Sequence, residues 1–382
     1  MKIVYVYPKF TTLAGTERVL IDKMNSLAND NEYEVYVVTH EQSSHSFSYP
    51  LSQKVKHFDL DVCFYLLYRF NIIIRLLVRE YYKRLLSNKF KELMSLINPD
   101  IVVTTTYHSY LVSMIGKCSN KFAKVVESHV DKRFIHSIDS GNYQSLSNRI
   151  HGDHDMRVLL KKVGLFNVLV ALQKYDADDW SAYVHSCVIP NIVHLNPTGR
   201  ITSLDSKQVI FVGRYTHQKG IPDLLKIWTI VHKKHPDWSL EMFGDGVLED
   251  NLRYEANQIG VNVHKAVPNI FDYYLVSSVL VMTSVYEPFG LVIPEAMSCG
   301  LPVIAFDCPY GPRSIITDGL DGYLIEDRKI DAFAQKLSEM MESRELRRKL
   351  GQAAVLSSKR YSESQIMPLW KSLFNDLAKD NA

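Results

Sequence analysis

Short apolar runs separated by polar, turn-forming segments recur along the whole chain. The first, IVYVYP at 3–8, is closed by Pro8 and reads as a buried strand. The loop TTLAGT follows, and then a helical pattern over about 17–28 puts Val19, Leu20, Met24 and Leu27 on one face. EVYVVT at 34–39 is the next strand, so the chain opens β-loop-α-β, the start of a parallel sheet. Residues 62–97 predict long helices rich in aromatic and basic side chains, while IVVTTT (101–106) and AKVVES (123–128) predict two more strands. The polar stretch 137–157 reads as a mobile loop or lid. The run 184–189 leads into Pro190-Asn191, read as the end of a first domain.

Residues 195–206 (LNPTGRITSLDS) read as a linker, after which a second alternation begins. Its predicted strands are QVIFVG (208–213), SLEMFG (239–244), VNVH (261–264), VLVMTS (279–284), PVIAF (302–306) and GYLI (322–325), with helical patterns between them. From about Asp331 the chain reads as helical and charged. The expected fold class is therefore α/β, with two Rossmann-like domains. The first covers 1–194 and the second 195–362, and a central cleft is expected between them, with ligands at the carboxyl ends of the strands.

Length and composition fit this picture. The 382 residues suffice for two substantial cores, and 46% hydrophobic with 23% charged residues is ordinary for a folded globular chain. A net charge of +2 argues against a nucleic-acid binder driven by bulk electrostatics. The five cysteines, Cys63, Cys118, Cys187, Cys299 and Cys308, have no C-x-x-C spacing and read as reduced thiols. The apolar run after Met1-Lys2 is too short for a signal sequence, and no run approaches the roughly 18 residues of a spanning helix. A cytoplasmic protein is expected.

Four segments carry candidate chemistry. EPFGLVIPE, Glu287 to Glu295, follows a predicted strand and opens a helix, which makes a site for an anion. Gly290 permits close backbone approach to a phosphate, and the acids Glu287 and Glu295 suit the hydroxyls of a sugar nucleotide. The alternative is a Pro-containing helix start with a stabilising acid. GRYTHQKG, Gly213 to Gly220, places Arg214 and Lys219 at another strand end, where two fixed cations would stabilise a departing diphosphate without metal. The alternative is two solvated surface cations, which the strand-end context shared with the Glu287 loop disfavours. Gly15, in LAGTER, opens or precedes a helix and reads as a phosphate or acceptor contact, or as an ordinary turn glycine. His129, in ESHVDKRF, lies just past a strand and reads as a hydroxyl partner or a packed core histidine. His108, in TTYHSY, is its rival.

EPFGLVIPEAMSCGLPVIAF followed by GPRSIITDGLDGYLI resembles the signature stretch of the retaining glycosyltransferases of family four, which have the GT-B fold. Glu287 and Glu295 match that family's E-x7-E motif, and AGTERV, Pro190-Asn191, VGRYTHQKG and FGDGVLE (243–249) fall in its order. The resemblance implies transfer of a sugar from a nucleotide-sugar donor, with Arg214 and Lys219 on the diphosphate. It implies Phe289, Gly290 and Leu291 offering backbone N–H groups to the phosphates, Glu295 on the ribose, and Glu287 on the donor sugar. His129 would contact the sugar near the reaction centre. Gly15 matches the second glycine of the family's Gly-Gly, whose first is Ala14 here. The resemblance also implies a C-terminal helix (about 363–382) returning to the first, acceptor-binding domain, and this reading requires no metal and no other cofactor. A retaining outcome needs either a double displacement, with Glu287 as the candidate nucleophile, or a same-face attack; no carboxylate stands out as an obvious nucleophile, and the same-face route is favoured. DCPYGP (307–312) resembles members using UDP-hexoses or UDP-N-acetylhexosamines in surface-polysaccharide or lipopolysaccharide synthesis.

Three acidic patterns could suggest metal instead: Asp59-Leu60-Asp61, Asp176-Ala177-Asp178 and His151-Gly152-Asp153-His154-Asp155. All sit in expected loops or helix edges, and no metal site is assigned to them. The segment 62–86, with Arg69, Arg75, Arg79, Lys83 and Arg84 among aromatic and aliphatic residues, reads either as an interfacial helix on anionic lipid or as a packed helix with snorkelling arginines. The first reading favours a lipid-linked acceptor and a peripheral position on the membrane. Rival functions are an epimerase or phosphorylase on nucleotide sugars, and a non-catalytic sugar-nucleotide-binding subunit.

Overall fold

The computed structural model describes residues 1–118, 121–130, 132, 156–256 and 259–380. Two compact units divide it, Met1–Ile192 with Ile366–Ala382, and Val193–Gln365.

The first unit is built on strands β1 (Lys2–Val6), β2 (Glu34–Thr39), β3 (Lys56–Asp59), β4 (Ile101–Thr105), β5 (Ala123–Ser128), β6 (Val168–Ala171) and β7 (Ser186–Val188). They form one sheet in the order β3-β2-β1-β4-β5-β6-β7, and every pairing is parallel. Successive side chains of a strand point to opposite faces, so each strand feeds two cores. Val4, Val6, Tyr36, Val38, Val102 and Val126 pack with helices Ile72–Ile97, Ser109–Gly116 and Lys174–Ser181. Ile3, Tyr5, Val35, Val37, Val103 and Val125 pack with helix Gly15–Asn29 and with Ile366, Met367, Trp370 and Phe374 of the C-terminal helix Glu363–Asp380. Burial on both faces explains why these strands read as continuous apolar runs.

Three strands escaped the sequence pattern, β3, β6 and β7, the last within the run 184–189 that carried no strand assignment. In β3, the sequence KHFD leaves Lys56, His57 and Phe58 exposed at the sheet edge, so it carries no apolar run. The four residues of β6, VLVA, are all buried but form a run too short to separate from the neighbouring helices by period. The helical stretch expected over 62–97 is in fact broken. A 3-10 turn at Phe64–Arg69 ends before Asn71, whose side chain accepts from the Ile74 amide and caps helix Ile72–Ile97. The expected lid over 137–157, with its His151 to Asp155 pattern, lies outside the described residues apart from 156–157.

In the second unit the sheet runs β10-β9-β8-β11-β12-β13, again wholly parallel. Its strands are β8 (Gln208–Val212), β9 (Ser239–Phe243), β10 (Val261–His264), β11 (Val279–Met282), β12 (Val303–Phe306) and β13 (Gly322–Ile325). Trp228 and Phe333 of the flanking helices fill its core against Phe211, Leu240 and Phe306. Both units are thus doubly wound. The strand order reverses between β1 and β4 in one sheet and between β8 and β11 in the other, and such switch points open a crevice at the carboxyl ends of the strands.

Candidate functional site

The switch point of the second unit lies between the two loops that the sequence singled out. After β8 the chain passes through Gly213 and Arg214 into the 3-10 turn His217–Lys219, then through Gly220 into helix Ile221–Lys234. Gly220 is left-handed, with φ +67°, and a Cβ there would stand 1.9 Å from the Thr283 carbonyl oxygen. Only glycine allows this approach, which presses the loop against the end of β11. The Thr283 hydroxyl reinforces it by donating to the carbonyls of Lys219 (3.1 Å) and Gly220 (3.2 Å). The Val285 amide donates to the Gln218 carbonyl at 2.8 Å.

This docking brings Lys219 to Glu287. The Lys219 ammonium lies 2.5 Å from Glu287 Oε2, and the Ser284 hydroxyl donates to the same oxygen at 3.1 Å. Both side chains are largely buried. Arg214 remains exposed at the loop surface, its guanidinium donating to Gln218 Oε1 at 3.2 Å. Glu295 is buried in the first turn of the short helix Val292–Ser298, where the helix dipole favours a carboxylate.

Between Glu287 and that helix, the amides of Phe289, Gly290 and Leu291 donate to no described residue. Gly290 has φ +93°, which turns the backbone so that consecutive amides stay uncommitted. Buried backbone N–H groups are nearly always paired, so a run of free ones at a strand end marks a place for an anion. Lys219 supplies positive charge beside it. The loop is held from behind by Glu287 and Gly311, the Gly311 amide donating to the Glu287 carbonyl at 2.6 Å.

One supporting residue escaped the sequence reading. Arg328, with φ +62°, donates to the carbonyls of Thr283 (3.1 Å) and Ser284 (2.6 Å), pairs with Asp223 at 2.9 Å, and stacks 4.3 Å over the Phe306 ring. It ties the start of helix Ile221–Lys234 to the end of β11. Its only sequence signal was the charged pair Asp327-Arg328 after a strand, which reads as solvated surface.

Residues 200–356 match the family Glycosyl transferases group 1. That region contains both strand-end loops just described. An uncharacterized glycosyltransferase of Haemophilus influenzae is 24% identical over 381 residues, covering 97% of this chain and 99% of that protein. The amylovoran biosynthesis glycosyltransferase AmsD of Erwinia amylovora is 35% identical over 186 residues, covering 47% of this chain and 52% of its own length. A Staphylococcus aureus TarM variant, solved with fondaparinux, alpha-GlcNAc-glycerol and UDP, superposes with a TM-score of 0.76 at 15% identity, covering 98% of this chain and 99% of its own. The fold is that of the GT-B glycosyltransferases, and the comparisons together support a glycosyltransferase of group 1.

The first unit carries the remaining candidates. Gly15 is exposed and begins helix Gly15–Asn29, which has no side-chain cap at Ala14. His129, just past β5, is 4% exposed, and its Nε2 lies 2.8 Å from Glu127 Oε2. The same oxygen accepts from the Lys23 ammonium of helix Gly15–Asn29. The rival His108 begins helix Ser109–Gly116 and packs against Tyr7, Tyr107 and Tyr110. Burial, with His40 nearby, pushes its imidazole down to about 4, so it is neutral at physiological pH.

Asp59 is occupied with loop structure, its carboxylate accepting from the Thr39 hydroxyl (3.1 Å) and the Ser43 amide (2.6 Å). Asp178 pairs with Lys174 at 2.8 Å, while Asp176 is buried at the start of helix Lys174–Ser181. Among the described residues, no three His, Cys, Asp or Glu side chains gather as metal ligands. In helix Ile72–Ile97, Ile74, Leu77 and Tyr81 form an exposed stripe, preceded by exposed Phe70. Arg75, Arg79 and Lys83 are half-buried on another side of that helix, and Arg84 is exposed. No described helix is long and apolar enough to cross a membrane.

Proposed function

We propose that the chain is a retaining, metal-independent glycosyltransferase. It transfers a hexose or N-acetylhexosamine from a nucleotide sugar, with UDP as the favoured nucleotide, to a glycan or lipid-linked acceptor in surface-polysaccharide or lipopolysaccharide synthesis. The observation that carries this is the run of uncommitted amides at Phe289, Gly290 and Leu291 beside Lys219, at the switch point of the second unit. Such donors stabilise the charge that develops on a leaving diphosphate without having to reorganise, and they act most strongly where water is excluded. UDP in the TarM structure supports the choice of base.

In this reading Lys219 and Arg214 neutralise the diphosphate and the three amides cradle it. Glu295 holds the ribose hydroxyls. Glu287, already oriented by Lys219 and Ser284, accepts from hydroxyls of the donor sugar. His129 contacts the sugar near its anomeric carbon, and Gly15 leaves room for a phosphate or acceptor at the start of its helix. The acceptor attacks from the face the diphosphate leaves, which retains the configuration. The exposed stripe of Phe70, Ile74, Leu77 and Tyr81 supports a lipid-linked acceptor met at the cytoplasmic face of a membrane.

Thermal unfolding of the purified protein with UDP, GDP and ADP, in EDTA, tests the donor site. A ligand bound only by the folded chain stabilises it by about 2.7 kcal/mol at 100 times its Kd. A rise in midpoint with UDP alone is expected, and no rise with any nucleotide overturns the reading. NMR of the product of UDP-glucose or UDP-N-acetylglucosamine turnover tests retention. An inverted anomer overturns that part alone.

A further inference from the structure

The first unit buries an ion pair, Lys23 and Glu127, beside His129, and the chemistry proposed above uses only the histidine. Lys23, Glu127 and His129 come from helix Gly15–Asn29, from β5 and from the residue following β5, and their side chains are 2–3% exposed. Around them lie Tyr5 of β1 and Trp370 of the C-terminal helix. The Trp370 ring sits 4.1 Å from the Lys23 ammonium and the Tyr5 ring 5.9 Å away. Burying an ion pair costs more solvation than its attraction readily returns, and an apolar pair of the same volume often serves stability as well or better. The neighbouring core residues Ile21, Met24, Val125 and Val170 show that this region is otherwise filled by such side chains.

The hydrogen-bond pattern shows what the triad provides. Burial alone would raise the Glu127 carboxyl, but the Lys23 ammonium and the His129 hydrogen bond outweigh it and hold the carboxyl below its ordinary value. An ionised carboxylate can only accept, so His129 Nε2 must carry the ring proton. In the neutral ring His129 Nδ1 then holds the lone pair, and no described residue bonds to it.

We propose that Glu127 is a positioning residue for His129, held ionised in the core by Lys23, so that His129 meets its ligand as a hydrogen-bond acceptor through Nδ1. The group it takes is a hydroxyl of the sugar or acceptor, not a carbonyl. This rests on the role given to His129 above and adds its tautomer, its partner and the chemistry of the group it receives.

Two measurements test it. The first uses the intact, unsubstituted chain with 15N-labelled histidine, so it needs neither a donor nor a variant. Long-range 1H–15N correlation reads the tautomer of each ring, and His129→Gln assigns the signal. A neutral ring with its proton on Nε2 is expected, and a proton on Nδ1 overturns the proposal.

The second uses the charge-neutral double variant Lys23→Met/Glu127→Gln, which leaves no unpaired buried ion. Its melting midpoint should stay near that of the parent. The Gln carboxamide can donate or accept, so a mixture of His129 tautomers is expected. The kcat for UDP release from UDP-glucose or UDP-N-acetylglucosamine should fall by about tenfold or more, with KM little changed. Adding His129→Ala to this double variant should cost less than adding it to the parent, because the two act as one unit. If His129→Ala impairs the parent while the double variant keeps its full kcat and a single tautomer, the positioning role fails and the proposed function stands. If His129→Ala leaves turnover of the parent intact, both the role of His129 and this inference fail, while donor binding by the second unit is untouched.

Discussion

The two units treat their charged residues in opposite ways. In the second, Lys219 is paired but reachable, Arg214 is exposed, and three backbone amides of one loop are left uncommitted. In the first, Lys23 and His129 both bond the Glu127 carboxylate, all three side chains are almost wholly buried, and the Lys23 ammonium lies by the Trp370 ring of the C-terminal helix. Open donors suit a group that arrives carrying its own negative charge. A sealed triad suits the fixing of one ring in one protonation pattern. On the proposed reading, the same α/β architecture supplies charge to a ligand at one strand end and orientation to a side chain at another.

The largest expected effect comes from breaking the open arrangement. Lys219→Ala removes the ammonium paired with Glu287 and, among the described residues, leaves that carboxylate the Ser284 hydroxyl. Turnover of a UDP-sugar should fall about 100-fold or more, by analogy with loss of a donor that stabilises developing negative charge. A loss below tenfold, in a protein that melts like the parent, would show that the amides and Arg214 suffice.

Next is the backbone contact that builds the site. Gly220→Ala places a methyl group into the Thr283 carbonyl at a positive φ, so both strain and clash oppose it. A loss of at least about 2 kcal/mol in denaturant-induced unfolding is expected. Unchanged stability would mean that the loop can leave the end of β11 without cost.

The sealed triad should show itself in acid. Glu127 titrates in the folded chain below its ordinary 4.5, so the stability it contributes is complete above that pH. As pH falls through the lower folded value, that contribution is lost. Lys23→Met/Glu127→Gln should therefore lose less stability than the parent between neutral pH and that window. Parallel curves would show that Glu127 is not held ionised.

The smallest effect concerns thiols. Burial pushes Cys299 and Cys308 up to about 12, whereas Cys187 is only partly buried. A thiolate-directed reagent near neutral pH should reach Cys187 well before either. Rapid labelling of Cys308, beside the strand-end loops, would reveal local opening there.

Much of the fold was legible because buried parallel strands are apolar on both faces. IVYVYP, EVYVVT, QVIFVG and VLVMTS declare themselves by composition alone. The exposed edge strand KHFD could not, because its stability comes from pairing with β2, and the short VLVA could not, because four apolar residues have no readable period. Glycines and charges at strand ends pointed to Arg214, Lys219, Glu287 and Glu295. Arg328 stayed hidden because its value lies in two carbonyls more than 40 positions away in the chain.

Alone, the sequence determined the local terms: which segments bury both faces, where glycine permits a left-handed turn, and which loops carry charge at the ends of strands. The tertiary structure decided the pairings: that Gly220 presses on Thr283 and thereby delivers Lys219 to Glu287, and that Glu127, two residues from His129, is held by a lysine 104 positions away. Those outcomes depend on which strands become neighbours in a sheet. That is set by the summed burial of many side chains and not by any one segment, so no local pattern could announce them.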